Sequence, residues 1–523
     1  MLFTKCLYNR HLYLGFRIAG IKMAFVICLL LSVAVHAASP LPKPRPEFGQ
    51  ATSSEIPIPS QKPNQLVSQA GKKISLQEAI FIGLKSNRTI ESACISRYAE
   101  AYNLSVEEAQ FEPQFSFSGE LSQSASRTQH TTRGTVSPQA QLKTPSGAQF
   151  KFAWSNGGNL SKELQDWSSF AEFTAEKPLL RGGGVKANLA SLQQARLAEK
   201  ANILRLDSTV AEVIGNIIFS YRDLLLAQEE LKLANLAVER AEKLITNNEA
   251  LIEVGRIAAL DIIQTRADLE NQRLRALQAT QNLTTAKLQL VDLLALDLDT
   301  SIIAIEAQES GDVTISIKQL VTVALANRPD YLGQLNVIAQ AKYNLIAAEN
   351  AKLWDLNLFA RGRYGLEGGS QANWQTTSEA TVGFRVNIEL NNPKPQRDYV
   401  QASTTKKIAY VRLREIRQGI EKQIRRSANE ARLLWKQIKL AETAEELARK
   451  AVEVELAKLN AGRSTTFQVQ TLEDHLRDRE IQLLTARIGY LNALTRLDLQ
   501  LGTSLQTWGI NLKKPGGLRA PCY

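Results

Sequence analysis

Three glycines and a nearby lysine, Gly182-Gly183-Gly184-Val185-Lys186, form the one stretch of this chain with the makings of a phosphate cradle. Such a loop aims several backbone N–H groups and an ammonium at one anion. It needs a Gly-Lys-Ser/Thr ending, or a third glycine three positions after a Gly-x-Gly pair in a βαβ unit. Lys186 is followed by Ala187, and no parallel-sheet pattern surrounds the stretch. Beyond residue 37 the histidines are His130 and His475, each without a second His or Cys at ligand spacing, so no metal site and no cofactor are expected. No nucleophile elbow, zinc signature or paired-carboxylate setting occurs, and the reading is of a protein that is not an enzyme. The densest basic block, Lys406 to Arg426, lies in a helical pattern poor in aromatics and glycines, which reads as a solvated face rather than a nucleic-acid site.

The N-terminus carries Lys5, Arg10, Arg17 and Lys22 with no acidic residue, then the apolar run Ala24 to Val35 and the small-residue site Val35-His36-Ala37. Residues 1–37 are read as a signal peptide, with Met23 an alternative start. Its removal lowers the net charge from +11 to about +7 and leaves Cys94 and Cys522, enough for one disulfide but no framework. Residues 38–73 follow as a proline-rich arm unable to hold a helix.

Proline is then absent from Pro178 to Pro329 and from Pro395 to Pro515, which frees two stretches to be helix. Val210, Ile214, Ile217, Tyr221 and Leu225 keep three-or-four spacing. A helix over 185–253 would be about 100 Å long. The chain also repeats. Ile74-Ser75-Leu76-Gln77-Glu78 answers to Ile315-Ser316-Ile317-Lys318-Gln319, and Gly255-Arg256 to Gly462-Arg463. The heptad column Ile262, Leu269, Ala276, Leu283, Leu290 lands on Val469, Leu476, Leu483, Tyr490, Leu497, which predicts coiled-coil-like packing. The two repeats are assigned to 74–300 and 315–502, with a connector at 301–314 and a tail at 503–523. Helices are expected over 76–111, 185–253, 258–296, 316–352, 397–459 and 465–501.

Between the helices, over 112–181 and 353–392, the period changes to two. Phe115, Phe117, Gly119, Leu121 and Phe150, Phe152, Trp154 alternate with polar residues in the first region, as do Leu356, Leu358, Ala360 and Val382, Phe384, Val386 in the second. The alternation fits a soluble sheet laid on the helices or membrane β-strands with aromatics at the interfaces. Two strands per repeat make four. That is fewer than the eight of the smallest closed barrels, so a barrel would have to be shared between chains.

The duplicated order of short helix, helix, strands, long helix, glycine turn and helix resembles the TolC-like outer-membrane efflux protein family from about Ile74 to Leu501. The matching motifs are Glu253-Val-Gly-Arg-Ile-Ala-Ala-Leu-Asp-Ile-Ile263, Asn460-Ala-Gly-Arg-Ser-Thr-Thr-Phe-Gln-Val469 and Lys177-Pro-Leu-Leu-Arg-Gly-Gly-Gly184. The resemblance implies a homotrimer whose twelve-stranded β-barrel, four strands per chain, sits in the lipid of a Gram-negative outer membrane and continues as a periplasmic α-helical tunnel. It further implies a passive conduit for efflux or type I secretion. Helix tips at Gly255, Arg256, Gly462 and Arg463 would dock a periplasmic adaptor joined to an inner-membrane pump of RND, ABC or MFS type. In such a tube Glu453 and Glu455 would form charged rings at a constriction. A periplasmic coiled-coil adaptor or scaffold is the alternative. The arm departs from the family pattern, and 112–181 exceeds its counterpart by about 30 residues, as a hairpin near Pro145-Ser146-Gly147 or as an extracellular loop. Pro178, Gly182, Gly183 and Gly184 then become a strand-to-helix corner, which the second repeat makes with Asn391-Asn392-Pro393-Lys394 instead.

Overall fold

Ser75 and Glu78 form a reciprocal capping box: Glu78 N donates to Ser75 Oγ at 3.3 Å, and Ser75 N donates to Glu78 Oε2 at 2.8 Å. They open α1 (Leu76–Ser86). The computed structural model describes residues 72–125, 130–160, 166–253, 261–305, 311, 316–369 and 372–510, all within one compact unit, Val67–Tyr523. The expected signal peptide, almost all of the arm, Gly255 and Arg256 lie outside the described residues.

The helical stretch expected over 76–111 is divided into a short and a longer helix. Asn87 accepts hydrogen bonds from Thr89 N and Ile90 N at 2.9 and 3.2 Å, ending α1 and capping α2 (Arg88–Ala109). Proline does the same work in the second repeat, standing first in α7 (Pro329–Ala351) behind α6 (Ile317–Asn327). The long helices are α4 (Ala190–Glu253), preceded by the single turn α3 (Val185–Asn188), and α8 (Lys394–Asn460). Each returns as a shorter partner, α5 (Asp261–Leu293) and α9 (Thr466–Leu501), with α10 (Ser504–Thr507) after it. At about 1.5 Å per residue α4 and α8 each run roughly 100 Å.

These helices lie side by side in a fixed order. Towards their tips the order is α5, α4, α9, α8; towards the sheet it is α2, α4, α7, α8. The heptad columns face inward: Leu269, Leu290, Val469, Leu476, Tyr490 and Leu497 are buried. The main core lies midway along α4, where Val210, Ile214, Ile217 and Tyr221 meet Ile80, Ile90, Leu290 and Leu294. Here β1 (Lys72–Ile74) pairs in parallel with β6 (Ile302–Ala304), joining the end of the arm to the connector. The buried Tyr221 Oη lies 2.9 Å from Ile74 O and 2.8 Å from Ile305 O, and accepts from Ile305 N at 2.9 Å.

The sheet corrects the expected strand count. Six strands, not four, make one antiparallel sheet: β2 (Gln114–Ala125), β3 (His130–Lys143), β4 (Gln149–Asn159), β5 (Asp166–Pro178), β7 (Asp355–Gly369) and β8 (Ala372–Asn387), in that order across it. The extra length of the first repeat is a hairpin. Its turn at Thr144–Gly147 lies at the helical end of the sheet, with Thr144 N bonded to Ala148 O at 2.8 Å. Alternation in β3 is masked by small residues and by Pro138, which lacks an N–H and coincides with a gap in the ladder to β4 between the Val136–Asn156 and Gln139–Ala153 pairs. No described helix is long and apolar enough to cross a membrane.

Candidate functional site

The register sorts the whole sheet into two faces, because directly paired residues point the same way. One row runs Phe115, Ala140, Phe152, Phe173, Gly362, Ala380 from edge to edge; the neighbouring row runs Ser116, Gln139, Ala153, Glu172, Arg363, Glu379 on the opposite face. The first face also carries Phe117, Trp154, Leu358 and Phe384, and the second carries Lys151 and Arg361. Apolar side chains stand in the open: Phe115, Val382 and Phe384 are 81%, 74% and 68% exposed. On the polar face the aromatic rings are covered by charge. The Arg363 guanidinium lies 3.8 Å from the Phe170 ring centre and that of Arg385 4.9 Å from Phe359. Arg361 approaches Glu172 at 3.8 Å.

Two edges of the unit are open along its length. Among the described residues the outer sides of β2 and β8 have no strand partner. Below β2, α2 exposes Ile95, Tyr98, Tyr102 and Val106; below β8, α8 exposes Val400, Ile408 and Val411. Nearer the tips, α5 exposes Leu274, Leu277 and Leu288, and α8 exposes Leu433, Leu440, Leu447 and Val454 at seven-residue intervals. Both long edges therefore carry apolar stripes left uncovered by the described residues.

The glycine stretch is a corner. Gly182 and Gly184 have φ of +80° and +90°, backbone that L side chains resist. A Cβ on Gly183 would stand 2.8 Å from Pro178 O. Most of its amide and carbonyl groups are already used: Gly182 N donates to Asn350 Oδ1 at 2.7 Å, Gly183 N to Leu180 O at 3.0 Å, and Asn188 Nδ2 to Gly182 O at 2.7 Å and to Gly184 O at 3.0 Å. Asn350 also donates to Leu180 O and Gly183 O. At the matching corner Asn391 has φ of +60°, asparagine being the residue besides glycine that visits this region most readily.

At the tips, Asn247 Nδ2 donates to Asn460 Oδ1 at 3.1 Å, so α4 and α8 end together. Leu244, Leu251, Leu459 and Val469 pack beneath them. Gly462, at φ +71°, sends its N–H to Leu459 O at 2.9 Å, and Arg463 N donates to Lys458 O at 2.8 Å, leaving the Arg463 side chain exposed. Glu455 accepts from Ser464 Oγ and, at 2.9 Å, from Lys458 Nζ. The Ser464 bond first, and Lys458 second, hold its carboxyl below the usual carboxylate range. Glu455 thus braces the turn, while Glu453, two residues earlier, is exposed.

Two further charged groups are built into the helices. Arg240 on α4 lies 2.7 Å from Glu473 and 3.5 Å from Glu480 on α9, and Arg449 on α8 reaches Glu480 at 3.4 Å. Burial pushes the Glu473 carboxyl up, outweighing the attraction of Arg240. The seven-residue spacing places the two glutamates on one face of α9, but it does not point to Arg240 as their partner. Arg222 on α4 is buried without a carboxylate at hand, donating to Thr495 Oγ1 at 2.8 Å and Asn492 Oδ1 at 3.1 Å, and burial brings its pKa down to about 10. Among the described residues no group of His, Cys, Asp and Glu could hold a metal ion.

Comparison with known proteins points the same way as this geometry. Residues 82–296 match the family model described as outer membrane efflux protein. No curated protein matches the chain. Among solved structures, the chain is similar to the Campylobacter jejuni CmeC outer membrane channel, at 19% identity and TM-score 0.62 over 82% of this chain and 86% of that one. It is similar to the open state of the Neisseria gonorrhoeae MtrE outer membrane channel, at 15% identity and TM-score 0.59 over 82% and 88%. It is also similar to the Vibrio cholerae outer membrane protein VceC, at 13% identity and TM-score 0.63 over 82% and 96%. Residues 82–296 thus resemble the outer membrane efflux protein family, and the chain shares the fold of the solved outer-membrane channels.

Proposed function

We propose that this chain is the outer-membrane channel of a tripartite efflux or type I secretion system, a passive conduit with no catalytic step. One observation carries the reading: a six-stranded sheet, apolar across one face and polar across the other, with both edges unpaired among the described residues. Backbone N–H and C=O groups left open in hydrocarbon cost several kcal/mol each, so a membrane sheet of this kind must close on other copies. The apolar stripes below each edge support a homotrimer closing by rotation, with the polar face lining the lumen. The long helices then continue the tube into the periplasm. Their tips at Gly255, Arg256, Gly462 and Arg463 would meet a periplasmic adaptor, which is joined to an inner-membrane pump of RND, ABC or MFS type.

Glu453 is the freer of the two glutamates read as a constriction, Glu455 being engaged with Ser464 and Lys458. Facing a threefold axis, Glu453 becomes a ring of three carboxylates that favours cations. The protein reconstituted in a planar bilayer is expected to give discrete channels, with cation preference reduced by Glu453→Gln. It is also expected to stay with membranes washed in sodium carbonate. Release by carbonate together with an absence of channels would instead establish the periplasmic scaffold.

A further inference from the structure

The width of the chain at two levels leads beyond that reading, although it rests on it. Strands about 4.8 Å apart and tilted by about 40° each take up roughly 6 Å of a barrel's perimeter, so six strands cover about 38 Å. Four would cover about 25 Å. Directly below the sheet, the wall of the same chain is four helices wide, α2, α4, α7 and α8. At 8–10 Å between axes these span about 36 Å. Six strands and four helices thus match in width, whereas four strands would leave a step of about 10 Å per chain.

The hairpin of β3 and β4 has the chemistry of wall. Its outward residues Val136, Ala140, Phe150 and Phe152 continue the apolar face shared with β2 and β5, and Ser137 and Gln139 continue the polar one. A hairpin folded into the lumen or over the mouth would have no reason to keep that division in register with both neighbours. The order across the sheet makes β2 and β8 run in opposite directions, so β8 of one copy can accept β2 of the next as an antiparallel neighbour. The helical edges fit the same join. α2 runs towards the sheet and α8 away from it, and their exposed apolar residues, 95–106 on α2 and 400–411 on α8, cover stretches of equal length, which suits two antiparallel helices from adjacent copies.

We propose that three copies close an eighteen-stranded barrel, with β3 and β4 inside the membrane wall and β8 of each copy paired to β2 of the next. Because barrel diameter grows roughly in proportion to strand number, this pore is about one and a half times as wide as a twelve-stranded one. It passes into the helical tube without narrowing. Passage is then restricted at the helix tips rather than in the membrane, and the outer opening accepts bulky cargo.

Electron cryomicroscopy of the full chain extracted in detergent tests this directly. A threefold particle with eighteen strands is the expected result. A threefold particle with twelve strands and the 130–159 hairpin outside the wall overturns the inference and leaves the channel reading standing; a particle without a ring overturns both. A second measurement uses single cysteines in cells, scored above the labelling of the parent chain. Cysteine at Ser137 or Gln139 should react with a membrane-impermeant maleimide, and cysteine at Val136 or Ala140 should be protected. Equal labelling at all four positions overturns the placement of the hairpin in the wall.

Discussion

Replacing Phe152 by arginine should cripple the assembled protein, whereas the same residue placed three positions later should not. Phe152 lies in the apolar row between Ala140 and Phe173, near the middle of β4. An arginine facing lipid near the bilayer midplane costs about 2–4 kcal/mol. At 1.4 kcal/mol per tenfold change in an equilibrium, one site lowers the folded-to-unfolded ratio roughly thirty- to several-hundred-fold. In a ring of three the penalty reaches about 6–12 kcal/mol, comparable with the whole stability of a typical domain. Ser155 belongs to the opposite face, where Ser137 Oγ donates to its Oγ at 3.2 Å and Lys151 and Arg363 already project. Arginine there meets water and polar neighbours, so Ser155→Arg should cost well under 1 kcal/mol, in the range of ordinary surface changes. The assay is the amount of folded protein in isolated outer membranes, with the urea midpoint of protein refolded into liposomes as a second reading. A normal level of Phe152→Arg alongside a collapsed Ser155→Arg would mean that the two faces have been assigned the wrong way round. Equal losses would mean that neither faces lipid.

Gly147 has φ of +92°, and a Cβ would stand 2.4 Å from Gly182 O, so Gly147→Ala should lose at least the 1–2 kcal/mol of left-handed strain, read as a lower urea midpoint. Tyr221→Phe removes the hydroxyl that bonds Ile74 O, Ile305 O and Ile305 N, and at about 1–3 kcal/mol for the loss it should lower the denaturation midpoint with little change in channel conductance. For Glu473, burial raises the folded pKa above the ordinary value of 4.5, so the folded chain holds the proton more tightly than the unfolded one. Its contribution to stability therefore falls as the pH rises from about 4.5 through that raised value. Glu473→Gln should flatten this part of the difference between midpoints measured at pH 5 and pH 7.5; an unchanged difference would remove Glu473 as its source.

The sequence revealed the long helices because a three-or-four periodicity repeats for many turns, and a period that long is hard to disturb. It was less informative about strands, where the signal depends on a few alternations. Phe115, Phe117 and Phe152, Trp154 announce β2 and β4. In β3 the outward positions are Thr132, Gly134, Val136, Pro138 and Ala140, too small and mixed to register, and only the pairing with β2 and β4 shows which face they belong to. The corner at Gly182–Gly184 could be recognised by its failure to be a phosphate loop. Its fastening could not, since Asn350 acts from 168 residues away in the chain. The bridge from Arg240 to Glu473 and Glu480 was likewise hidden, because sequence spacing on α9 says nothing of which side of α4 lies opposite.

The hairpin of β3 and β4 has a consequence for how such a wall can change in evolution. β5 must leave the sheet on the side from which β2 entered it, or α4 would start at the wrong surface of the membrane. A single added strand would deliver the chain to the far side, with α4 facing the outside of the cell. Parity therefore forbids growth by one strand, and each change in size must insert or delete a complete out-and-back excursion. Under threefold symmetry one such event alters the ring by six strands at once, so channels of this design would be expected to come in widely spaced sizes rather than in a graded series.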